Sequence, residues 1–231
     1  MVYWQRTDIN GIWGFIKFVQ CCKQADIFPI ARVNLFTSVD EAVILVENQY
    51  GYENLCRLIS SIHKQPDEDL ITYLDSNTDG LFFLSHKPHT LYTLKQIIPD
   101  THLFIELCPG LQEQKVHAMA KKLDLEIIAT GNVYLRNPKD HSAHVILRAI
   151  DNNTTLKKLD PKEVITDQSW FRSEKEMLKL FPNSLSAIRN SRYLAERCKK
   201  EWSFINTVFP GLSLQDSYKY NQILKNKVYN G

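Results

Sequence analysis

The chain has 231 residues, 44% hydrophobic and 23% charged, which is ordinary for a soluble globular protein with a core of its own. The formal net charge of +2 is too small to imply a nucleic-acid partner by itself. No segment reaches the roughly 18 apolar residues of a membrane helix, and no signal-peptide pattern opens the chain. We therefore expect a cytoplasmic protein without a membrane partner.

Charges and cysteines are unevenly placed along the chain. Residues 1–150 hold 14 basic and 17 acidic residues, whereas residues 151–231 hold 14 and 9. The basic residues at 151–231 could bind phosphates, although a solvated helical face explains them equally well.

The five cysteines form no C-x-x-C or histidine-spaced cluster, so we expect free thiols in a reducing compartment.

Strand and helix patterns alternate over the first 150 residues. Apolar spacing predicts a first helix with Ile12, Phe15, Ile16 and Val19 on one face and Asn10 as its cap. Further apolar patterns predict strands at 27–36, 41–48, 80–85, 102–107 and 125–130, and helices at 51–63, 90–98 and 116–123. This alternation is typical of βαβ units with mostly parallel pairing, and it fits an open doubly wound sheet or an incomplete barrel.

After residue 150 the pattern changes, because a polar, loop-like stretch is followed by helical signals alone. Ser173 and Glu176 have the spacing of a capping box at the start of one helix. The apolar spacing at residues 183–200 predicts a longer helix. We therefore divide the chain into an α/β domain at 1–170 and a helical extension at 171–231.

Several polar residues follow predicted strands, the position at which α/β barrels keep their chemistry. His86 and His89 follow one strand and are candidate ligands, with an ordinary surface loop as the alternative. Glu106 ends another strand and could be catalytic, cap the next helix or pair with a lysine. No metal-binding His motif, Gly-rich phosphate loop or nucleophile motif accompanies them. The residues alone therefore predict an α/β protein without a complete catalytic set.

A further candidate lies at the start of the helix that follows residue 140. Asp140 and His144 are four residues apart and could share a ligand. His144 borders an apolar face, which favours a packing or hydrogen-bonding role over a ligand. The spacing predicts that this face, which packs in the core, consists of Ala143, Ile146, Leu147 and Ile150.

Several stretches together resemble the PHP (polymerase and histidinol phosphatase) domain of bacterial DNA polymerase III alpha subunits. They include "TDINGIWGFIKFVQCCKQADIFPI" at 7–30, "GYENLCRLIS" at 51–60, "IIATGNVYL" at 127–135 and "WFRSEKEMLKLFPNSLSAIRNSRYLAERC" at 170–198. The resemblance covers roughly residues 6 to 225, and the last stretch favours the polymerase type over a free-standing phosphatase. It implies an incomplete, distorted (βα)7 TIM-like barrel without its opening strand, and a C-terminal helical extension toward an absent polymerase palm.

The metal motifs of that family are degenerate in this chain. Where the family has an Asp-His pair, this chain has Asp8 and Ile9. Asn34 replaces the Glu of the family's G-x-E motif, and Asn132 and Tyr134 replace the Asp and His of its D-x-H motif. Asn and Tyr supply neither the negative charge nor the imidazole that holds a divalent cluster. The resemblance therefore implies no catalytic residue and no cofactor, and a divalent metal (Zn, Mn or Mg) is the alternative.

The implied function is that of a non-catalytic structural module of a DNA polymerase III alpha subunit, in DNA replication. We expect a fragment of a DNA-directed DNA polymerase that cannot act as a nucleotidyltransferase alone. A metal-dependent phosphoesterase or 3′–5′ exonuclease with an atypical site, or a stand-alone adaptor, is the alternative. The expected partners are the remaining polymerase domains of a full-length chain and DNA through those domains. A homodimer, or a segment that shields the edge left by the missing strand, is also expected.

Overall fold

The structure is a computed structural model that describes residues 3–66, 68–74, 78–199, 201–202 and 214–230. The chain forms two compact units, Met1–Glu201 and Trp202–Gly231. The first unit contains a β-sheet and the helices that pack on it. In the second unit, one helix is described.

Six strands form one mixed sheet in sequence order. They are β1 (Tyr3–Ile9), β2 (Phe28–Phe36), β3 (Glu41–Val46), β4 (Leu81–Ser85), β5 (Leu103–Leu107) and β6 (Ile127–Ala129). β1 and β2 are parallel, β3 is antiparallel to both of its neighbours, and β4, β5 and β6 are parallel. The predicted α/β class is confirmed, whereas closure of the sheet into a barrel stays a prediction.

Up to β6, the helices of the described residues lie between successive strands, except that β3 follows β2 directly, and after β6 the helices follow one another. They are α1 (Phe15–Gln24), α2 (Gln49–Lys64), α3 (Leu70–Leu74), α4 (Pro88–Leu94), α5 (Glu113–Leu123), α6 (His141–Asp151), α7 (Glu174–Leu180), α8 (Leu185–Arg197) and α9 (Leu214–Tyr229). The predicted capping box is confirmed at α7, where the Ser173 N–H donates to Glu176 Oε2 at 2.8 Å. Within the part of the chain that is described, no helix combines the length and apolarity needed to cross a membrane.

The N-terminal region differs from the prediction in two respects. Residues 3–9 form a strand that the apolar patterns did not predict, and Asn10 does not cap α1. Asn10 has a left-handed φ of 46°, and its side chain exchanges hydrogen bonds of 2.8 and 2.9 Å with the backbone of Phe36. Asn10 therefore ties the end of β1 to the end of β2, and the helix begins only at Phe15.

A tight turn explains why β3 runs antiparallel to β2. Only residues 37–40 separate the two strands, too few for the crossover that parallel strands require. Thr37 and Asp40 close this turn through hydrogen bonds of 3.0 Å, and the buried Asp40 carboxylate also accepts bonds from the Leu70 N–H and the Thr90 hydroxyl. β3 is therefore the exception to the predicted, mostly parallel pairing, which holds for the other three strand pairs of the described sheet.

One face of the sheet is apolar and packs against α8. The buried cluster on this face comprises Ile30, Val43, Leu45, Phe82, Leu84, Phe104, Ile128, Leu194 and Cys198. Asn190 Nδ2 and Ser191 Oγ of α8 donate hydrogen bonds to the carbonyls of Ile127 and Ala129, at 3.1 and 2.5 Å. α8 is therefore a segment that shields the edge of β6, and the homodimer stays a prediction.

Candidate functional site at the carboxyl end of the sheet

A group of polar side chains lies at the edge where β2, β4, β5 and β6 end. We call it the polar cluster, and it consists of Arg32, Asn34, His86, Glu106, Thr130 and Tyr134. Side chains along a strand alternate between the two faces of the sheet. Arg32 and Asn34 of β2 and Glu106 of β5 therefore lie on the same face as the buried apolar cluster that packs against α8. Arg32, Asn34, Glu106 and Thr130 are buried, whereas Tyr134 is 46% exposed, so the polar cluster extends from the protein interior to the surface.

Glu106 is the centre of the polar cluster. Its Oε1 accepts a hydrogen bond from the Thr130 hydroxyl at 2.6 Å and lies 3.8 Å from Arg32 Nη2. Its Oε2 lies 3.7 Å from His86 Nδ1. Burial alone would raise the pKa of Glu106, but the His86 contact, the Arg32 charge and the Thr130 hydrogen bond outweigh burial and lower it. Glu106 is therefore an ionised carboxylate at neutral pH.

Arg32 supplies the compensating positive charge. Its Nη2 donates to Asn34 Oδ1 at 3.3 Å, and Asn34 Nδ2 donates to the Tyr134 hydroxyl at 3.5 Å. Burial lowers the pKa of Arg32, yet a guanidinium stays charged at neutral pH. The side chains of Arg32 and Glu106 are each only 5% exposed, so removal of either charge leaves the other unbalanced in the interior.

One set of side chains near this pair has the composition of a metal site. His86, Glu106 and Cys108 each offer one ligand atom, and these atoms lie within 4.8 Å of one another. Two observations argue against a resident divalent ion. The Arg32 guanidinium already places a positive charge beside Glu106, and burial raises the pKa of the Cys108 thiol to about 12, so this thiol is protonated at neutral pH. His86, Glu106 and Cys108 therefore do not fit a bound metal.

Three of the degenerate motif positions reach the polar cluster. Asn34 and Tyr134 belong to it, and Asn132 lines a small pocket beside it together with Asn34, His86 and Glu106. Asn132 has a left-handed φ of 40°. The volume of this pocket is about 10 Å³, room for one water molecule at most.

The other two motif positions lie at the end of β1. Asp8 Oδ2 accepts a hydrogen bond from the Gly14 N–H at 3.3 Å, in the turn before α1. Ile9 is 54% exposed. The structure therefore brings Asn34, Asn132 and Tyr134 toward one pocket and leaves Ile9 at the surface.

The remaining candidates at strand ends separate into two groups. His86 belongs to the polar cluster, whereas the exposed His89 makes a 3.3 Å contact with Asp40, away from Glu106. Glu106 pairs with Arg32, which was not among the candidates. The signal was present, because Arg32 is the one charged residue in the strand run at 27–36, and a buried charge requires a partner.

α6 has the opposite orientation to the predicted one. Its polar side binds the loop at 163–165, where His144 Nε2 accepts from the Ile165 N–H at 3.3 Å and Arg148 Nε donates to the Glu163 carbonyl at 2.8 Å. His144 thus has a hydrogen-bonding role. The predicted core face of Ala143, Ile146, Leu147 and Ile150 is exposed, and the three large residues are 50%, 63% and 69% exposed.

The exposed face of α6 corrects the sequence prediction. Ala149 is the residue that α6 buries, because the 163–165 loop holds the neighbouring polar side of the helix against the protein. Ile146, Leu147 and Ile150 form a contiguous apolar face, which we call the α6 face. Adjacent exposed aliphatic side chains of this kind mark contact surfaces more often than isolated ones do.

Comparison with known proteins gives a family context for these features. No family model matches the chain. DNA polymerase III subunit alpha of Pasteurella multocida (strain Pm70) is 28% identical over 235 residues, which cover 86% of this chain and 20% of the relative. The same subunit of Rickettsia conorii is 27% identical and covers 83% and 19%, and that of Chlamydia muridarum is 21% identical and covers 97% and 24%.

The chain is similar to one segment of DNA polymerase III subunit alpha. It spans about a fifth of the length of the first two relatives. The similarity extends over most of the present chain, so it includes both the sheet and the helices that follow it.

The five cysteines are present as thiols and none forms a disulfide bond, as predicted.

Proposed function

We propose that this chain is a PHP-type structural module of a DNA polymerase III alpha polymerase, and that its polar cluster performs no catalysis. The similarity to a segment of subunit alpha supports a role in DNA replication. We further propose that the remaining polymerase domains are its partners and that DNA reaches it through those domains. The division at residue 170 and the cytoplasmic location belong to the same proposal.

The observation that carries the non-catalytic role is the buried pair of Arg32 and Glu106. Metal-assisted phosphoester hydrolysis requires a divalent ion that activates water and polarises the phosphoryl oxygens. Here the buried carboxylate is already paired with a guanidinium 3.8 Å away. The adjoining pocket of about 10 Å³ is also far too small for a phosphoester.

The α6 face supports the structural part of the proposal. Ile146, Leu147 and Ile150 expose an area well below the roughly 800 Å² per partner of a standard stable interface. Such a patch suits one part of a contact between domains, which is held together by more than this surface alone. We therefore assign the α6 face to contact with the polymerase domains rather than to a homodimer.

The second candidate function is a metal-dependent phosphoesterase or 3′–5′ exonuclease with an atypical site. The approach of His86, Glu106 and Cys108 within 4.8 Å is the observation in its favour. One assay separates the two candidates. The whole chain is incubated with a chromogenic phosphate ester and with 3′-recessed DNA, in the presence of Mn²⁺ or Zn²⁺.

We expect no turnover above a buffer control from the wild-type chain. Glu106→Gln should give the same result, and so should Glu126→Gln, a control at an exposed position one strand away. Turnover that Glu106→Gln abolishes and Glu126→Gln preserves would establish the enzyme and reject the structural role.

The structural role has its own test in hydrogen exchange. The chain is mixed with the remaining domains of the same polymerase, purified without this module, and amide exchange is compared with that of the chain alone. We expect slower exchange in α6, and loss of this protection in Leu147→Glu/Ile150→Glu. Unchanged exchange throughout the chain would contradict the proposal.

A further inference from the structure

We propose that the groove between α4 and α5 binds a small amphipathic anion, which is a molecule with a flat apolar body and one acidic group. The volume of this groove is about 480 Å³, within the ~300–1,000 Å³ range of small-molecule sites. We call it the α4–α5 groove, and its residues come from both helices and from the segments that precede them. Its floor is apolar and its charged lining residues are basic.

The floor of the α4–α5 groove is partly open to solvent. Val116 of α5 is buried, Met119 is partly buried, and Tyr92 of α4 is 42% exposed. Val116 and Met119 are three residues apart, so they lie on one face of α5. Pro88 and Leu111 extend this apolar surface toward the start of the two helices. A flat apolar molecule therefore has a surface to pack on, and the flexible Met119 side chain adapts to its outline.

Lys122 places a positive charge at one end of this floor. Its Nζ lies 5.3 Å from the centroid of the Tyr92 ring, a cation–π contact that holds the ammonium group at the groove. Lys115 lies two turns earlier on α5 and also lines the groove. Within the described part of the chain, lysines form ion pairs only at Lys87 and Lys95. The charges of Lys115 and Lys122 are therefore not neutralised by a carboxylate of this kind.

His86 lines the end of the α4–α5 groove opposite Lys122. α4 and α5 each begin where the preceding strand ends, so His86, just before α4, is far from Lys122 in the last turn of α5. His86 Nε2 lies 3.9 Å from Glu41 Oε2, and its Nδ1 lies 3.7 Å from Glu106 Oε2. These carboxylates disfavour an anion beside His86. The acidic group of the ligand therefore lies at Lys122, and its apolar body extends toward His86.

Two separate interactions select such a ligand. Burial of apolar surface against Val116 and Met119 supplies most of the affinity. The charge of Lys122 discriminates between an anion and a neutral molecule of the same shape. Inorganic phosphate has the charge without the apolar body, so it should not bind measurably.

The experiment titrates the full chain with two fluorescent probes, anilinonaphthalene sulfonate and the uncharged phenylnaphthylamine, which has the same rings. We expect one sulfonate per chain, bound about 5-fold more tightly than the neutral probe. Lys122→Gln should remove this difference and leave the neutral probe unaffected, and Lys115→Gln should have a smaller effect. Lys121→Gln, at an exposed position outside the groove, is the matched control and should change neither affinity. Met119→Glu should weaken both probes at least about 10-fold, because it places a carboxylate on the apolar floor.

The α6 face is the alternative apolar surface for both probes. Binding that Leu147→Glu/Ile150→Glu abolishes and Met119→Glu preserves would overturn the proposal. Equal affinities of the two probes in the wild-type chain, or a sulfonate affinity that Lys122→Gln leaves unchanged, would also overturn it. Circular dichroism checks the fold of each variant. If Met119→Glu unfolds, the exposed substitution Lys122→Gln decides, together with the probe-induced amide shifts of α5 in nuclear magnetic resonance.

Discussion

Removal of one member of the Arg32–Glu106 pair should destabilise the fold more than removal of both. Both side chains are 5% exposed, and breaking a buried pair on one side costs about 3–5 kcal/mol. Their separation of 3.8 Å exceeds the ~2.7–3.2 Å of a direct hydrogen bond, so the lower end of that range applies. We expect a loss of about 3 kcal/mol in the free energy of unfolding for Arg32→Met and for Glu106→Gln.

The double variant should lose only about 2 kcal/mol, because no unbalanced charge remains. This residual loss corresponds to the lost hydrogen bond between Arg32 and Asn34 and to the weaker Thr130 hydrogen bond once its acceptor is a neutral amide, at about 1 kcal/mol each. The coupling between the two substitutions is then about 4 kcal/mol, well above the error of unfolding measurements.

Urea unfolding followed by circular dichroism at pH 7 measures all four forms. The coupling should persist in 1 M NaCl, because buried charges are screened little. The exposed pair Arg192–Glu196 on α8, 74% and 48% exposed, is the matched control, and its removal should change stability by less than about 0.5 kcal/mol. Single losses below about 1 kcal/mol at the buried pair, or additive losses, would refute the reasoning.

Three further predictions concern α6 and α8. Burial and nearby basic side chains lower the pKa of His144 below its ordinary 6.5, so stability should fall as pH drops below 6.5, where the unfolded chain binds the proton more readily. Nuclear magnetic resonance should give a His144 midpoint below 6.5 and loss of the Ile165 N–H hydrogen bond on protonation, and a midpoint above 6.5 would contradict this. Ser191→Ala should lower the free energy of unfolding by about 1 kcal/mol, measured in urea, and an unchanged stability would mean that α8 does not hold the β6 edge. Leu147→Glu and Ile150→Glu should each change the stability of the isolated chain by less than about 0.5 kcal/mol, and a loss above 2 kcal/mol would show that the α6 face is buried.

The strands within apolar runs were predictable from the sequence, and the strand at the N-terminus was not. β2 to β6 lie within short apolar runs, which are typical of buried strands at that length. β1 contains Gln5, Arg6 and Asp8, so it lacks such a run. Its strand conformation follows from parallel pairing with β2, a contact between distant segments that no local pattern contains.

The sequence predicted the position of the candidate site but only some of its residues. Asn34, Asn132 and Tyr134 were expected at the strand ends, and they do lie near one pocket. Arg32 was missed because the strand at 27–36 was predicted from its apolar residues, and within it only Asn34 was considered for the site. The amphipathic pattern of α6 identified an apolar face correctly, but no pattern states which face of a helix a neighbouring loop will hold.

During synthesis, β6 leaves the ribosome well before the helix that covers its edge. Asn190 lies 63 residues after Ile127. At a synthesis rate of roughly 5–20 residues per second, the carbonyls of β6 therefore lack their α8 hydrogen-bond donors for about 3–13 s. Throughout that interval, the nascent chain presents an unpaired strand edge beside an apolar sheet face, a combination that favours aggregation. The emergence of α8 therefore marks the point at which the growing chain can protect this edge from pairing with other chains.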